Sequence, residues 1–395
     1  MPPASPPTGW PDVAPHPFTA TPFGISEVWT AAQHDLFGTK DVQDAITASY
    51  VWMADQVGHI FLGLAPTLLL CWIWSGLSTF RCIQEWFVGP LPPGFPPLPH
   101  ALDGGYVVAA LPVFAYWAYK ELQDRADSVA NARHVFPFDG GDIWRNVGVA
   151  LLFFGIGGAL AVAAFIGPWL LLAVFLVAAG LALRATYWWL QRKLAFQQAD
   201  LPYLFRLANF PTALAPAPRQ AVLDVSAPPA ARGAGRHLIV TGPIGAGKTS
   251  LCVGAGTEFA FRLGIGRFLS RTKLLQLAAE LPPGGMATPS TVMDYDAGRY
   301  LWPWRAVELL IVDDVDAGVP DGPARLAPHE LADTLEALAK ASPPLAWLAE
   351  RRSLWVLGET EDVAAWQAAL GRIIGVAAAE IGVVALPPLV PAAGR

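Results

Sequence analysis

The chain has 395 residues, enough for two or three domains, and at 54% hydrophobic, 15% charged and a mean hydropathy of +0.40 it is too apolar for an ordinary soluble protein. Part of it is therefore expected to sit in lipid, while a net charge of −6 argues against broad electrostatic capture of nucleic acid and leaves only a local basic patch open. The three cysteines, Cys71, Cys82 and Cys252, are too scattered for a metal site or a disulfide framework and read as free thiols.

Residues 1 to about 27 are rich in proline and lack the basic start, apolar core and small-residue cleavage site of a signal peptide. Residues 1–40 accordingly read as a flexible cytoplasmic tail. From Asp41 the apolar positions Val42, Ile46, Tyr50, Met53 and Val57 recur at helical spacing, with Gln43, Asp44 and Asp55 elsewhere around the helix. This pattern fits a helix leading into the bilayer and equally one packed on a soluble domain, because periodicity does not name the apolar partner.

Residues 41–193 read as an all-α membrane domain of four transmembrane helices, at about 57–79, 104–120, 146–166 and 169–190. Between Asp55 and Arg81 lie 25 residues without a formal charge, enough for the roughly 20 that a spanning helix needs, with a kink expected at Pro66. Gly104 to Tyr119 is a shorter uncharged run of 16, closed by Lys120, whose ammonium can snorkel to the headgroups. Asn146 to Leu183 is 38 residues without a charge, too long for one crossing, and Gly167-Pro168 near its middle predicts two helices joined by a tight turn. Gly155, Gly157, Gly158 and Ala161 are expected to bring those two backbones close together. The second helix runs on to the aromatic belt Tyr187-Trp188-Trp189.

Four spans put both termini on one side, together with the loop that Lys120, Arg125, Arg133 and Arg145 occupy or flank. Arg192, Lys193 and Arg206 follow the last span, whereas the opposite side has only Arg81. The positive-inside rule then places the N- and C-termini in the cytoplasm of a cell (inner) membrane protein. Arg184 falls inside the last span and reads either as an intramembrane charge or as a snorkelling boundary residue. No Asp, Glu or charge pair lies in the span interiors, so an anchor or coupling domain is favoured over a transporter core.

Pro202, Pro211, Pro216, Pro218, Pro228 and Pro229 mark residues 194–235 as a linker. Residues 236–395 then form a second domain. Its apolar run His237–Thr241 leads into Gly242, Pro243, Ile244, Gly245, Ala246, Gly247, Lys248, Thr249 and Ser250, which fit G-x-x-x-x-G-K-[ST], a phosphate-binding loop between strand and helix. The glycines let successive N–H groups turn toward a phosphate at the helix N-terminus. Lys248 is expected to reach the β- and γ-phosphates, and Thr249 to place its hydroxyl on Mg²⁺.

Further strand-like runs at Arg267–Ser270, Leu309–Asp313, Leu354–Gly358 and Val383–Leu386 alternate with helical stretches, which predicts an α/β domain with a five-stranded parallel sheet covered on both faces. The third run ends in Asp313-Asp314 at the carboxyl edge of the sheet. Asp313 is expected to hold Mg²⁺, directly or through water, and Asp314 to orient and deprotonate an attacking water.

These motifs, GPIGAGKTS, RFLSRTKLLQLAAE (Arg267–Glu280) and ELLIVDDVD (Glu308–Asp316), resemble those of AAA+ ATPases of the additional-strand P-loop class, in spelling most like the helicase-loader and initiator branch. The resemblance covers about Gly235 to Leu389. It implies a P-loop NTPase fold with strand order 5-1-4-3-2, a γ-phosphate sensor at the tip of the fourth strand, here Glu359 or Thr360, and an arginine finger that completes a neighbour's site in a homo-oligomer. Arg372 is the candidate finger, with Arg351 and Arg352 as fallbacks. Asp314 stands where glutamate is more frequent in that family. The nine residues after the fifth strand leave no room for the family's helical lid, and no helix-turn-helix follows. Asp-x-x-Gly and Asn-Lys-x-Asp are missing, which favours ATP over GTP.

Residues 282–304 form an insertion holding Tyr295, Tyr300, Trp302 and Trp304 with Asp294, Asp296 and Arg299. It either grips a partner or packs against neighbouring elements. The functional expectation is a membrane-anchored ATPase, using ATP and Mg²⁺, that drives or gates a membrane-associated assembly with an unidentified protein client. A low-turnover nucleotide switch or scaffold, and a nucleic-acid loader or motor at the membrane, are the alternatives.

Overall fold

A computed structural model describes residues 51–80, 85, 104–130, 140–212, 214–227, 236–279, 304–305, 307–317, 325–340, 342–360 and 362–388. The N-terminal tail, the start of the helix expected from Asp41, Arg81, Cys82, Arg133 and the insertion before Trp304 lie outside the described residues. The chain divides into two compact units between Leu190 and Gln191.

The first unit is helical: α1 (Val51–Leu77), α2 (Gly104–Ala130), α3 (Gly140–Ile166) and α4 (Pro168–Gln198), the last continuing past Leu190. Pro66 lies inside α1, and α3 breaks at Gly167 so that Pro168 opens α4, where its missing N–H leaves no hydrogen bond unmade. Three segments, Asp55–Leu77, Trp144–Ile166 and Pro168–Gln198, are long and apolar enough to cross a membrane. The span expected at 104–120 is helical but does not join them, because α2 carries Lys120, Glu121, Asp124 and Arg125 straight after its apolar stretch. Large side chains such as Trp72, Val108, Trp169, Phe175 and Leu183 point outward, as a lipid-facing surface requires.

The glycine contacts differ from the expectation that they draw α3 and α4 together. A Cβ on Gly157 would lie 2.1 Å from the Ile60 carbonyl oxygen of α1, and one on Gly63 would lie 2.2 Å from that of Phe154. The small face of α3 is therefore used against α1, backbone to backbone. The unit also holds a polar cluster at one end: His59 Nε2 is 3.7 Å from Asp55 Oδ1 and 4.0 Å from Glu121 Oε1, with Gln56 Oε1 3.3 Å from His59 Nδ1.

The second unit is a five-stranded, all-parallel sheet with helices. Its strands are β1 (Arg236–Thr241), β2 (Gly266–Ser270), β3 (Leu309–Asp313), β4 (Arg352–Val356) and β5 (Ile381–Ala385). They lie in the order β2-β3-β4-β1-β5, which read from the other edge is 5-1-4-3-2. The helices are α5 (Pro216–Ser226), α6 (Lys248–Phe261), α7 (Arg271–Ala279), α8 (Pro328–Ala339) and α9 (Val363–Ile374). β3 and β4 are almost wholly buried, as central parallel strands covered on both faces must be. Asp362 caps α9 by accepting from Ala365 N at 3.2 Å, and Gly375, at φ 85°, ends it.

The stretch read as a linker is instead part of this unit's core. Leu201, Leu207, Phe210, Val222 and Val225 are buried with Leu238, Val240, Leu251, Phe259 and Ile311. Ala199 accepts a backbone bond from Phe268 N at 2.8 Å, and Arg206 clasps Glu258 of α6 through two bonds of 2.6 and 3.0 Å. Pro216 and Pro218 open α5 rather than break a helix, and the apolar residues of the segment fill the face of α6 and the sheet.

Candidate functional site

β1 ends at Thr241, and the loop 242–247 turns sharply into α6 through three residues that only glycine adopts without strain: Gly242 (φ 149°), Gly245 (φ 80°) and Gly247 (φ 85°). Gly242 is required for space as well, since a Cβ there would sit 2.5 Å from the Leu386 carbonyl oxygen. The rim is open: nothing lies within 4 Å of a Cβ placed on Gly245, and Ile244 is 94% exposed. Ala246 is buried beneath, its N–H bonded to Pro243 O at 3.2 Å. The loop thus opens on the first turn of α6, whose leading N–H groups have no partner within the helix and attract an anion.

Lys248 Nζ donates to the carbonyls of Gly242 and Pro243, both at 2.9 Å, so its ammonium is laid back across the loop's own mouth. Thr249 Oγ1 donates to Asp313 Oδ1 at 3.3 Å, bringing the two motifs expected to share a cation together at the carboxyl edge of the sheet. A hydroxyl beside one carboxylate suits a hard divalent cation that takes its other ligands from phosphate and water. Among the described residues no group of three or more His, Cys, Asp or Glu side chains is arranged to hold a metal by itself. Burial first, and the neighbouring Asp314 charge second, raise the Asp313 carboxyl above the ordinary aspartate range, against the opposing pull of Thr249 and the Asp314 amide. Burial also raises the Cys252 thiol well above its usual value, so it stays protonated in the core.

Asp314 is exposed and left-handed, with φ 54°, and its N–H bonds back to Asp313 Oδ1 at 3.0 Å. That conformation carries a modest strain that aspartate tolerates better than most residues. Ser250 is met from the segment before the sheet: Tyr203 Oη lies 2.9 Å from Ser250 Oγ. Phe210 supports the loop from below, 3.3 Å from where a Gly247 Cβ would stand.

The tip of β4 joins the same edge, with Thr241 Oγ1 donating to Gly358 O at 2.6 Å and Gly358 N to Asp316 Oδ1 at 2.8 Å. Of the two sensor candidates, Thr360 Oγ1 accepts from Asp362 N at 3.2 Å in the turn into α9, while the exposed Glu359 receives a bond on its carbonyl from Arg325 Nη1. The three candidate finger arginines are all engaged inside the chain. Arg372 pairs with Asp333 at 2.5 Å and Glu336 at 3.0 Å, Arg351 donates to the carbonyls of Arg305 and Val307, and Arg352 to those of Val225 and Ala227. Trp304, at the end of the insertion, packs inward edge-on to Trp347, with ring centroids 5.5 Å apart.

Sequence reasoning did not single out Asp316 and Arg325, although the acid stands in ELLIVDDVD; nor did it single out Tyr203 or Phe210, whose signal was hidden among prolines. Set against known proteins, the chain matches no family model and no curated protein. The functional reading therefore rests on the site's own geometry.

Proposed function

We propose that the chain is a membrane-anchored P-loop ATPase, similar in plan to the AAA+ class, whose sheet domain faces the cytoplasm and whose nucleotide cycle drives or gates a membrane-associated assembly. The observation that carries this reading is the Thr249–Asp313 contact beside a glycine loop that opens onto a helix N-terminus. Loop amides and the start of α6 receive the phosphates, and Lys248 leaves its two carbonyls for the β- and γ-phosphates. Thr249 and Asp313 hold Mg²⁺, which when bound offsets charge on the phosphate oxygens. Asp314 orients the attacking water and takes its proton, with Glu359 or Thr360 at the β4 tip reading the γ-phosphate.

Location in a cell (inner) membrane with both termini cytoplasmic is part of the proposal and requires α2 to cross as a short fourth span beside the three clearly long enough. Homo-oligomerisation through the sheet domain and a protein client belong to it too. The second reading, a low-turnover nucleotide switch or scaffold, is favoured by one observation: Arg372 is held by Asp333 and Glu336 of its own chain rather than offered to a neighbour. A loader or motor on nucleic acid has less support at a net charge of −6, and stimulation of turnover by DNA or RNA would raise it.

The test is equilibrium binding of Mg·ATP to the full-length protein in lipid nanodiscs. Wild type is expected to bind, and a folded Lys248→Ala variant to lose most affinity, since no other loop side chain supplies a positive charge. Equal binding by the two would reject the site.

A further inference from the structure

We propose that Arg325 acts within its own chain as the cation that stabilises the transferred phosphoryl group, a role that the family resemblance implies for Arg372 of a neighbouring subunit. The inference rests on the ATPase reading above. Beyond β3 the chain at Arg325 meets the segment that follows that strand: Arg325 bridges to Ala317 in antiparallel fashion, and Leu326 N bonds to Asp316 O at 3.0 Å. This brings the guanidinium over the tip of β4. A Cβ on Gly358 would lie 3.0 Å from Arg325 Nη2 and 3.1 Å from its Cζ, while Nη1 donates to the Glu359 carbonyl.

The position matters because β4 lies between β1 and β3 in the sheet. Gly358 is tied on one side to Thr241, the residue before the phosphate loop, and on the other to Asp316, three residues beyond Asp313. The guanidinium is thus placed at the tip of the strand that lies between those carrying the loop and the Asp313-Asp314 acids, at the carboxyl edge where a bound γ-phosphate would project. Its charge is only loosely engaged. The nearest carboxylate, Asp316, already accepts from Gly358 N, and its other oxygen stands 3.8 Å from Nη1, while the Arg325 side chain stays 50% exposed. Five donors on one planar fork leave several for a phosphoryl oxygen after the bond to Glu359 is made. Arg372, with two close carboxylates, has no comparable reserve.

In the step assisted, the oxygen of water bonds to the γ-phosphorus as the bond from that phosphorus to the β,γ-bridging oxygen breaks. The bridging oxygen leaves with the electron pair as part of ADP, and the water's proton passes to Asp314. Arg325 is unchanged covalently and donates to the oxygens on which charge accumulates.

The experiment uses the full-length protein in proteoliposomes. Arg325→Ala should lower kcat by about 10²–10³-fold, the cost of losing one donor aimed at developing charge. It should leave ATPγS affinity within about threefold and sharply weaken binding of ADP with aluminium fluoride, which mimics the transferring group. Arg325→Lys should recover part of the rate, since it restores the charge without the fork. Mixed Lys248→Ala and Arg325→Ala subunits should stay inactive, because each chain then lacks one part of its own site. Wild-type kcat in Arg325→Ala, recovery of turnover in the mixture, or equal weakening of ATPγS and the aluminium fluoride complex would overturn the assignment, the last by making Arg325 a mere clamp on the β4 tip. Those results leave ATP binding by the wild type intact, whereas absence of ATP binding by the wild type would overturn the ATPase reading and this inference with it.

Discussion

Thr249 Oγ1 donates to Asp313 Oδ1 across 3.3 Å, joining the first turn of α6 to the end of β3. The carboxyl it meets is raised above the ordinary aspartate range by burial and by the adjacent Asp314, so its charge is unfavourable in that setting and a bound cation would offset it. Replacing that charge while keeping the acceptor should help the fold and harm the site. Asp313→Asn is expected to raise the melting temperature of the nucleotide-free protein and to abolish any further rise on adding Mg·ATP. A lower melting temperature without nucleotide, or an undiminished Mg·ATP shift, would count against it.

The same raised carboxyl gives the cation site a pH dependence. Protons compete with Mg²⁺ for Asp313, so the Mg·ATP shift in the wild type should shrink on the acid side at pH values above those at which an unburied aspartate, near ~3.9, would titrate.

Phe210 is buried beneath the loop and belongs to the core of the sheet unit. Phe210→Ala should destabilise that unit by about 3–5 kcal/mol, the cost of emptying a large core site. A fragment beginning near Gly235 should fail to fold, while one beginning near Gln191 should give a cooperative unfolding transition, as chemical denaturation of both would show. Stable folding of the shorter fragment would mean that the preceding segment is only a tether.

His237 at the start of β1 is buried, with its Nδ1 2.8 Å from Ser353 Oγ, and burial lowers its pKa to about 4. A base with a depressed folded pKa binds fewer protons in the native state than in the unfolded one. Stability is therefore full above the unfolded value near ~6.5 and falls as pH drops toward 4, by up to about 3 kcal/mol for this shift. Denaturation between pH 8 and 4 should show this loss in the wild type and a flatter profile in His237→Gln. Identical slopes in the two would place the acid sensitivity elsewhere.

The topology has a direct test in cysteine labelling of intact cells with an impermeant reagent. Cysteines near residues 20 and 130 and at the C-terminus should be shielded, and one near residue 95 labelled. Labelling at 130 with shielding at 95 would invert the orientation, and labelling of only one terminus would mean that α2 or another of the expected spans does not cross.

Much of the sheet unit was legible because buried parallel strands announce themselves as continuous apolar runs, and all five runs became strands. The edges shifted where polar residues are absorbed. β4 begins at Arg352, two residues before the expected Leu354, because the Arg352 guanidinium reaches the Val225 and Ala227 carbonyls and Ser353 bonds to both His237 and Trp355. The loop and the paired acids were legible because their chemistry is local in sequence. Arg325 was not, since it falls in a glycine- and proline-rich stretch and is placed at the β4 tip only by its bond to the Glu359 carbonyl and its contact with Asp316. The segment 199–226 was misread for the opposite reason: its prolines were conspicuous, and the burial of Leu201, Leu207 and Phe210 depends on partners far along the chain.

The central claim is that this site binds ATP and hydrolyses it with Asp314 as base, and it is tested most directly by measuring nucleotide retention and phosphate release side by side for wild type and Asp314→Asn. The full-length protein in nanodiscs with Mg²⁺ should bind ATP and release phosphate. Asp314→Asn should bind ATP with similar affinity and release phosphate at least about a hundredfold more slowly, since only the proton-accepting carboxylate changes. Equal phosphate release by the two proteins, or loss of ATP binding in Asp314→Asn to the same degree as in Lys248→Ala, would contradict the account.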